Sequence, residues 1–475
     1  MKRLNYPYFI NPNVPLTDKD VPFTPKQFTN SLVSIGMPIA IKMVKKDGKD
    51  FMENLTSPEK PAEISESPSI SLLEIIEQKS VASFFQPIVS IKKIGVVGLE
   101  ALGRGVESGT QRLIEPQDLY KQLEKQEPKL ALDRLFRDKG LEGYAQIRSK
   151  IPGLLLFLNI ESSILTTDVV GSGHLLKKVM ELHLDPSNIV IEICQSEGTD
   201  GAAIQKFVEA QRANNFLIAL EGINGSRDKL TQVLNLSPDV VKLESGLVQG
   251  MAKDSYKREG VRTVVHLSQK LGALVTADGV ENEEDALAAL DLGVDMLQGN
   301  YFSKPQKNDS ATLGLKARIV FMASRYRRMM TERMSRDKER RNRCNSIAVS
   351  IFEELAKVDP DDQEKKLGDF FLNHPQLECL YLLNQDGVQV SETICNLRKV
   401  PMRKQFLFQP APPGTDHSLK EYFYGLTNNH LTRYLTEPYI SLASGNLCIT
   451  FTGVLTNPET GKTRLLCADI DVSQV

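Results

Sequence analysis

No apolar run in this 475-residue chain approaches the roughly 18 residues that a helix needs to cross a bilayer. The best candidate, residues 31–44, is short and broken by Pro38. No basic segment joined to an apolar one opens the chain, so a secretory leader is not expected and a cytoplasmic protein is. Cysteine is scarce and scattered: Cys194, Cys344, Cys379, Cys395, Cys448 and Cys467 form no Cys-x-x-Cys pair. That spacing argues against a zinc or disulfide framework and predicts reduced thiols. Net charge is also nearly absent, at -2, so bulk charge neither favours nor opposes a polyanionic partner. What remains is an ordinary globular composition, long enough for two or three domains.

One pattern then repeats. Residues 94–99 form an apolar run too short for a typical helix, ending in Glu100, with Arg104 four positions on. The run 154–158 ends in Asn159, 189–191 leads to Glu192, and 216–220 ends in Glu221. Val240-Val241 precedes Lys242, 274–277 ends in Asp278, and Met296-Leu297 precedes Gln298. Short apolar strands spaced by helical segments, each delivering one polar residue from its end, predict a closed α/β barrel with a site at one rim.

The remaining chain sorts around that barrel. Residues 1–68, rich in Pro, Asn, Lys and Ser, read as a partly disordered N-terminal extension, with a small strand within 35–44 and a linker at 58–69. Residues 69–308 hold the barrel, opening on a helix at 71–76 and a first strand at 84–89; 91–95 form a turn, and 115–148 are helix-rich. Residues 309–358 read as a long linker helix, since 309–355 contain no Pro and one Gly. Its arginine run, from Arg325 to Arg343, is interleaved with Glu332, Asp337 and Glu339, which predicts a solvated, self-pairing face and no nucleic-acid contact. Ile319, Met322 and Met330 are spaced to face a helix of a second copy, or to pack along the barrel. Residues 359–475 turn to short alternating strands, with a hairpin signal at 380–390 around Asn384-Gln385-Asp386-Gly387 and paired strands at 447–454 and 464–472. They form a separate α+β antiparallel domain.

The motifs at the strand ends resemble a known family. Gln86-Pro87-Ile88, Glu100-Ala101-Leu102-Gly103-Arg104, Asn159, Ile191-Glu192-Ile193, Val241-Lys242-Leu243-Glu244, Ala277-Asp278-Gly279-Val280-Glu281 and Gln298-Gly299 through Phe302-Ser303-Lys304-Pro305 match, in order, the EAL domain, the bacterial phosphodiesterase domain that linearises cyclic di-GMP. The resemblance covers residues 71–306. It implies a TIM-type (β/α)8 barrel with one strand reversed, and two divalent ions, Mg²⁺ or Mn²⁺, that bind the scissile phosphate and activate a water. By the same resemblance, Glu100, Asn159, Glu192 and Glu221 are metal ligands. Lys242 holds or activates the water, with Glu281 beside it in a catalytic role. Gln86, Arg104, Gln298 and Pro305 contact the dinucleotide.

Departures from the family pattern gather at the same rim. Where the family carries Asp-Asp-Phe-Gly-x-Gly, this chain has Glu221-Gly222-Ile223-Asn224-Gly225-Ser226. Glu221 carries its carboxylate one C–C bond, roughly 1.5 Å, further from the backbone, and Gly222 carries none. Cys194-Gln195 stands where Thr-Glu is usual, Asp278 replaces Glu, and Glu244 replaces Asp. Together these predict a metal site weakened or lost and a crippled phosphodiesterase. The plainer reading of Glu100, Glu192 and Glu281 is barrel-end salt bridging, with Lys242 as a structural partner of Glu192 or Glu221 and Cys194 as a packed small side chain.

Residues 359–475 resemble a PAS-like Cache sensor module, on His374-Pro375, the 380–390 segment, Tyr422-Phe423, Glu437-Pro438-Tyr439-Ile440-Ser441 and Ala468-Asp469-Ile470-Asp471. That resemblance implies a small-molecule pocket behind the sheet, with Tyr439 and Asp469 as candidate lining residues, or a dimerisation module. The expectation is therefore a cytoplasmic cyclic di-GMP signalling protein, homodimeric through barrel and linker helix. Its impaired EAL domain binds the dinucleotide or regulates an unidentified downstream protein under control of the C-terminal module. The alternatives are an active metal-dependent phosphodiesterase that yields linear pGpG, and a protein-interaction scaffold that binds no nucleotide.

Overall fold

The computed structural model describes residues 41–46, 49–54 and 72–472, apart from 108–109, 124–125, 166–171, 195–200, 308–309, 311, 313, 397–407, 429–430 and 458–460. Two compact units divide the chain, residues 1–70 and 71–475. In the first, Ile41–Lys46 and Lys49–Asn54 form an antiparallel hairpin, whose first strand overlaps the strand expected within 35–44. The linker expected at 58–69 lies outside the described residues.

Eight strands close a barrel in the second unit: β1 (Val81–Ser90), β2 (Gly95–Val106), β3 (Leu155–Glu161), β4 (Ile189–Cys194), β5 (Leu217–Ile223), β6 (Val240–Leu243), β7 (Leu274–Ala277) and β8 (Met296–Gln298). Strands β2 to β8 are parallel neighbours, and β1 is antiparallel to both β2 and β8, closing the ring. The reversal follows from chain length. Only four residues, 91–94, join β1 to β2, whereas a parallel pairing needs a crossover of a dozen or more. Ile94 completes that turn in a left-handed conformation, φ 53°. The parallel strands are apolar on both faces because each is covered inside by the barrel core and outside by a helix. Helix α1 (Gln126–Arg148) lies close on β1 to β3. A Cβ at its Gly143 would meet the Phe85 ring at 2.8 Å, and one at Gly140 would meet Ala101 Cβ at 3.0 Å. Tyr144 on the same helix is fully buried and donates to the Leu154 carbonyl at 2.5 Å.

Helix α2 (Leu315–Leu355) runs 41 residues, about 60 Å at 1.5 Å per residue. Its first turns bury Ile319 and Met322 in the barrel core, and its last turns bury Cys344, Ala348, Ile351 and Leu355 against the C-terminal sheet. Packing along the barrel within one chain thus accounts for Ile319 and Met322. The sheet comprises β9 (Leu377–Leu383), β10 (Ile394–Cys395), β11 (Arg433–Leu435), β12 (Tyr439–Ile440), β13 (Leu447–Thr456) and β14 (Thr463–Asp471). Its order is β10-β9-β14-β13-β11, all antiparallel, with β12 also on β13. The expected turn at 384–387 forms: Asn384 Oδ1 accepts from the backbone N–H of Asp386 and Val388, and Gly387 takes φ 86°. The returning strand shrinks to a single bridge, Leu383 with Gln389.

One expectation is corrected. Cys379 and Cys395 are not free thiols. The β9–β10 register sets them opposite each other, and they form a disulfide with Cα atoms 4.2 Å apart. A separation of 16 residues without a motif hides the pair in the sequence; strand pairing alone creates it. Among the described residues Cys194, Cys344, Cys448 and Cys467 are free, and no helix is long and apolar enough to cross a membrane.

Candidate functional site at the barrel rim

Strand register assembles the rim. Antiparallel pairing sets Gln86 of β1 opposite Glu100 of β2, and parallel pairing sets Asn159 of β3 beside Glu192 of β4. Lys242 on β6 is enclosed, with 2 % of its side chain exposed. It reaches across the barrel mouth to three carboxylates: Glu100 Oε2 at 2.7 Å, Glu192 Oε1 at 3.3 Å and Glu221 Oε1 at 3.7 Å. Glu100 also accepts from Asn159 Nδ2 at 2.7 Å and Gln298 Nε2 at 2.5 Å. Gln298 donates as well to Gln86 Oε1 at 3.1 Å, and Gln86 donates to the Ser303 carbonyl at 3.1 Å. Cys194 bridges the far side, its thiol donating to Glu221 Oε2 at 2.7 Å with Asn159 Oδ1 also within reach at 3.2 Å.

Charge follows geometry. Burial pushes the Glu100 carboxyl up, but the Lys242 charge and the hydrogen bonds from Lys242, Asn159 and Gln298 together hold it below its ordinary value. Glu192 has less help. Burial, reinforced by Glu100, Glu221 and Asp278, raises it well above the carboxylate range despite Lys242. Its Oε1 is buried with no hydrogen bond of sound geometry. Burial works against the Lys242 ammonium, yet the four surrounding carboxylates push its pKa well up. Burial and Glu221 do the same to the Cys194 thiol, so it is no ready nucleophile. The cluster is one ammonium held by an ionised Glu100, with a neutral Glu192 alongside.

Other expected site residues stand at varying distance from it. Arg104 pairs with Glu115, Nε to Oε1 at 2.9 Å, and lines a cavity of about 380 Å³ together with Glu100, Asn159 and Glu221. Pro305 is half-buried just before Gln306, which bridges to Phe85 of β1. Glu281 is exposed and lines neither rim cavity, so the structure does not bring it to the cluster. Gly222 takes φ 70°, and a Cβ there would meet only Lys229 Nζ, at 3.8 Å. Gln195 lies outside the described residues. Sequence reasoning missed Tyr120, Asp133, Arg137 and Glu161, which form much of the cavity wall. Asp133 and Arg137 are a buried pair at 2.5 Å. Their i, i+4 spacing of opposite charges was the available signal, a faint one on a helix that also carries Lys129, Arg134, Asp138, Lys139 and Glu142.

A barrel of eight strands with the first reversed, carrying Glu, Asn, Glu and Lys around its mouth, is the architecture of an EAL domain. Residues 70–305 match the EAL domain family model, and this part of the chain is an EAL domain. The chain is 23% identical to the cyclic di-GMP phosphodiesterase RocR of Pseudomonas aeruginosa, over 58% of this chain and 70% of RocR. It is 24% identical to the probable cyclic di-GMP phosphodiesterase PdeB of Escherichia coli, over 50% of this chain and 45% of PdeB. With the uncharacterized EAL-domain containing protein YkuI of Bacillus subtilis it shares 22% identity over 78% of this chain and 90% of YkuI. The crystal structure of YkuI in complex with c-di-GMP and calcium superposes with a TM-score of 0.69 at 19% identity, covering 84% of this chain and 98% of YkuI. That coverage carries the shared fold beyond the barrel.

Divalent ions serve EAL domains, and the rim can be tested for them. Its donors are hard oxygens, the right chemistry for Mg²⁺ or Mn²⁺. They converge on an ammonium instead, and among the described residues no three carboxylates, histidines or cysteines stand as a ligand group. Gly222 supplies no side-chain oxygen.

Proposed function

We propose that this is a cyclic di-GMP signalling protein in which a catalytically impaired EAL barrel serves as a dinucleotide-binding, regulatory module. The observation that carries this reading is Lys242 seated among Glu100, Glu192 and Glu221, with glycine at 222. The cavity beside Arg104 and Asn159 supports retention of the dinucleotide pocket. Gln86 and Gln298 join the ligand-binding set, and Glu100, Asn159, Glu192 and Glu221 are what is left of a metal site. Glu281, carried in the catalytic set by resemblance alone, is left with a surface role.

A second cavity, about 270 Å³ and lined by Tyr381, Gln389, His417, Tyr422 and Tyr439 among others, supports a sensing role for the C-terminal domain. His417 is fixed there between Tyr422 OH at 2.6 Å and Gln389 Oε1 at 3.0 Å, and burial lowers its pKa, so it is neutral. The protein works in the cytoplasm as a homodimer, passing dinucleotide occupancy to a protein partner. Calorimetry with cyclic di-GMP, with and without Mg²⁺, is expected to give saturable binding in both conditions and no linear product. Turnover would make the barrel an enzyme, and silence would make it a scaffold.

Restoring the missing oxygen is a second test. Glu221→Asp with Gly222→Asp is expected to raise Mn²⁺ affinity at least tenfold and to bring measurable hydrolysis. The left-handed backbone costs an aspartate roughly 1 kcal/mol, and the open space around Gly222 accepts the side chain. Lys229 competes for the new carboxylate, so the pair is also made with Lys229→Ala. No gain in metal affinity in either background would place the defect elsewhere in the rim.

A further inference from the structure

Away from the rim, arginines from two helices converge on one groove of about 610 Å³, within the size range of small-molecule sites. Arg258 and Arg262 come from the barrel helix Ser255–Leu271, one turn apart. Arg333, Arg336, Arg340 and Arg341 come from α2, at spacings of three, seven and eight that share one face. Three carboxylates line the same groove, Asp291, Asp337 and Glu437, so six guanidinium groups against three acids leave an excess of three positive charges.

Pairing is incomplete. Asp291 is shared by Arg258 at 3.9 Å and Arg333 at 2.5 Å; Asp337 is shared by Arg333 at 4.0 Å and Arg340 at 3.1 Å. Arg341 takes Glu437 at 3.2 Å. Arg262 pairs with Glu259 on its own helix, outside the groove. Arg336 makes no ion pair among the described residues, and Arg340 Nε is enclosed with no hydrogen-bond partner. The sequence predicted a self-pairing helix face here. Neighbouring turns of α2 do pair, but the groove side keeps unmatched donors because it also faces the barrel helix.

We propose that this groove binds a compact, multiply charged phosphate ligand of nucleotide size, a nucleoside polyphosphate. Guanidinium forks match phosphate oxygens in pairs, and a groove whose arginines outnumber its acids, even with Arg262 met by Glu259, suits a polyphosphate better than a single carboxylate. The interspersed Asp291, Asp337 and Glu437 repel an extended polynucleotide backbone but leave room for one short anion. Met329 adds an apolar spot against which a base can lie. Because Arg258 and Arg262 belong to the barrel and Glu437 to the C-terminal domain, the ligand touches both ends of the chain that α2 joins. Occupancy therefore bears on how the two are held.

The test titrates the full chain separately with GTP and with inorganic pyrophosphate, by calorimetry at moderate and high salt. Saturable binding that weakens with salt is expected. Arg336→Ala and Arg262→Ala should each weaken it roughly tenfold, the worth of one charge-assisted contact. Arg327→Ala, on the exposed side of α2, should leave it unchanged, and so should Arg104→Ala at the barrel rim, which separates this groove from the dinucleotide cavity. Equal affinity for the two probes assigns recognition to the phosphates, and tighter GTP binding adds the base; either supports the proposal. No saturable binding of either probe, an unchanged affinity in Arg336→Ala, or tighter binding of a single-stranded oligonucleotide than of GTP overturns it.

Discussion

Lys242→Met is expected to destabilise the barrel by about 3–5 kcal/mol, the usual cost of stranding a buried partner of an ion pair. Glu100 is 4% exposed and Glu192 fully buried, so water cannot replace the ammonium. The pH dependence of the Glu100 contribution should change sign with it. In the native chain Glu100 is held below its ordinary value of 4.5. It therefore contributes stability that is present above 4.5 and lost as the pH falls through its lower folded pKa. Without Lys242 burial dominates and the Glu100 pKa rises above 4.5. Its contribution is then present in acid and lost as the pH rises, so the loss relative to the native chain should be smaller near pH 5 than near pH 8. Adding Glu100→Gln, which removes the stranded charge, should recover much of the loss. Millimolar Mn²⁺ should raise the melting temperature of Lys242→Met but not of the native chain, since a cation then has a place to sit. Thermal scans across pH, with and without Mn²⁺, check all of this. A loss below about 1 kcal/mol, or an equal Mn²⁺ response in both proteins, would remove Lys242 from the role assigned to it.

Much of this rim is legible in the sequence because parallel strands write it plainly. Each of Glu100, Asn159, Glu192, Glu221, Lys242 and Gln298 closes or follows a short apolar run, and a barrel brings such ends together whatever lies between them. The reversed β1 is legible too, in the brevity of 91–94. Residues from elsewhere are not. Tyr120, Asp133 and Arg137 reach the cavity from helices, where a charged residue reads as one more polar position on a solvated face. Glu281 is a different case: it sits within a motif but follows β7 by four residues and is exposed, and motif membership alone says nothing of its direction. Cys379 and Cys395 meet only through strand register, and the unmatched arginines of α2 only through packing against a second helix. Pairings that depend on long-range geometry leave no local trace.

Asp469→Asn is expected to stabilise the C-terminal sheet at mildly alkaline pH and to flatten its pH dependence. Asp469 lies on β14 with 3% exposure and accepts from Thr450 Oγ1 at 2.7 Å, while the same hydroxyl meets Tyr439 OH at 2.5 Å. Burial pushes its carboxyl from 3.8 up to about 7, with Glu378 adding to the rise and the Thr450 hydrogen bond opposing it. The groups around it, Tyr381, Tyr439, Cys448 and Cys467, are themselves held neutral by burial, so none of them offsets an Asp469 anion. A raised folded pKa means that the native state holds the proton more tightly than the unfolded chain. Stability from this group is complete below 3.8 and is lost progressively as the pH climbs through about 7. The shift corresponds to roughly 4 kcal/mol at full ionisation, taking about 1.36 kcal/mol per unit. Asparagine keeps an oxygen for Thr450 and carries no charge at any of these pH values, so the variant's gain over the native chain should be larger near pH 8 than near pH 5. Thermal scans of both proteins at the two pH values read the difference. An equal drop in melting temperature from pH 5 to pH 8 in both would mean that Asp469 is ionised, and matched by an unseen donor, throughout that range.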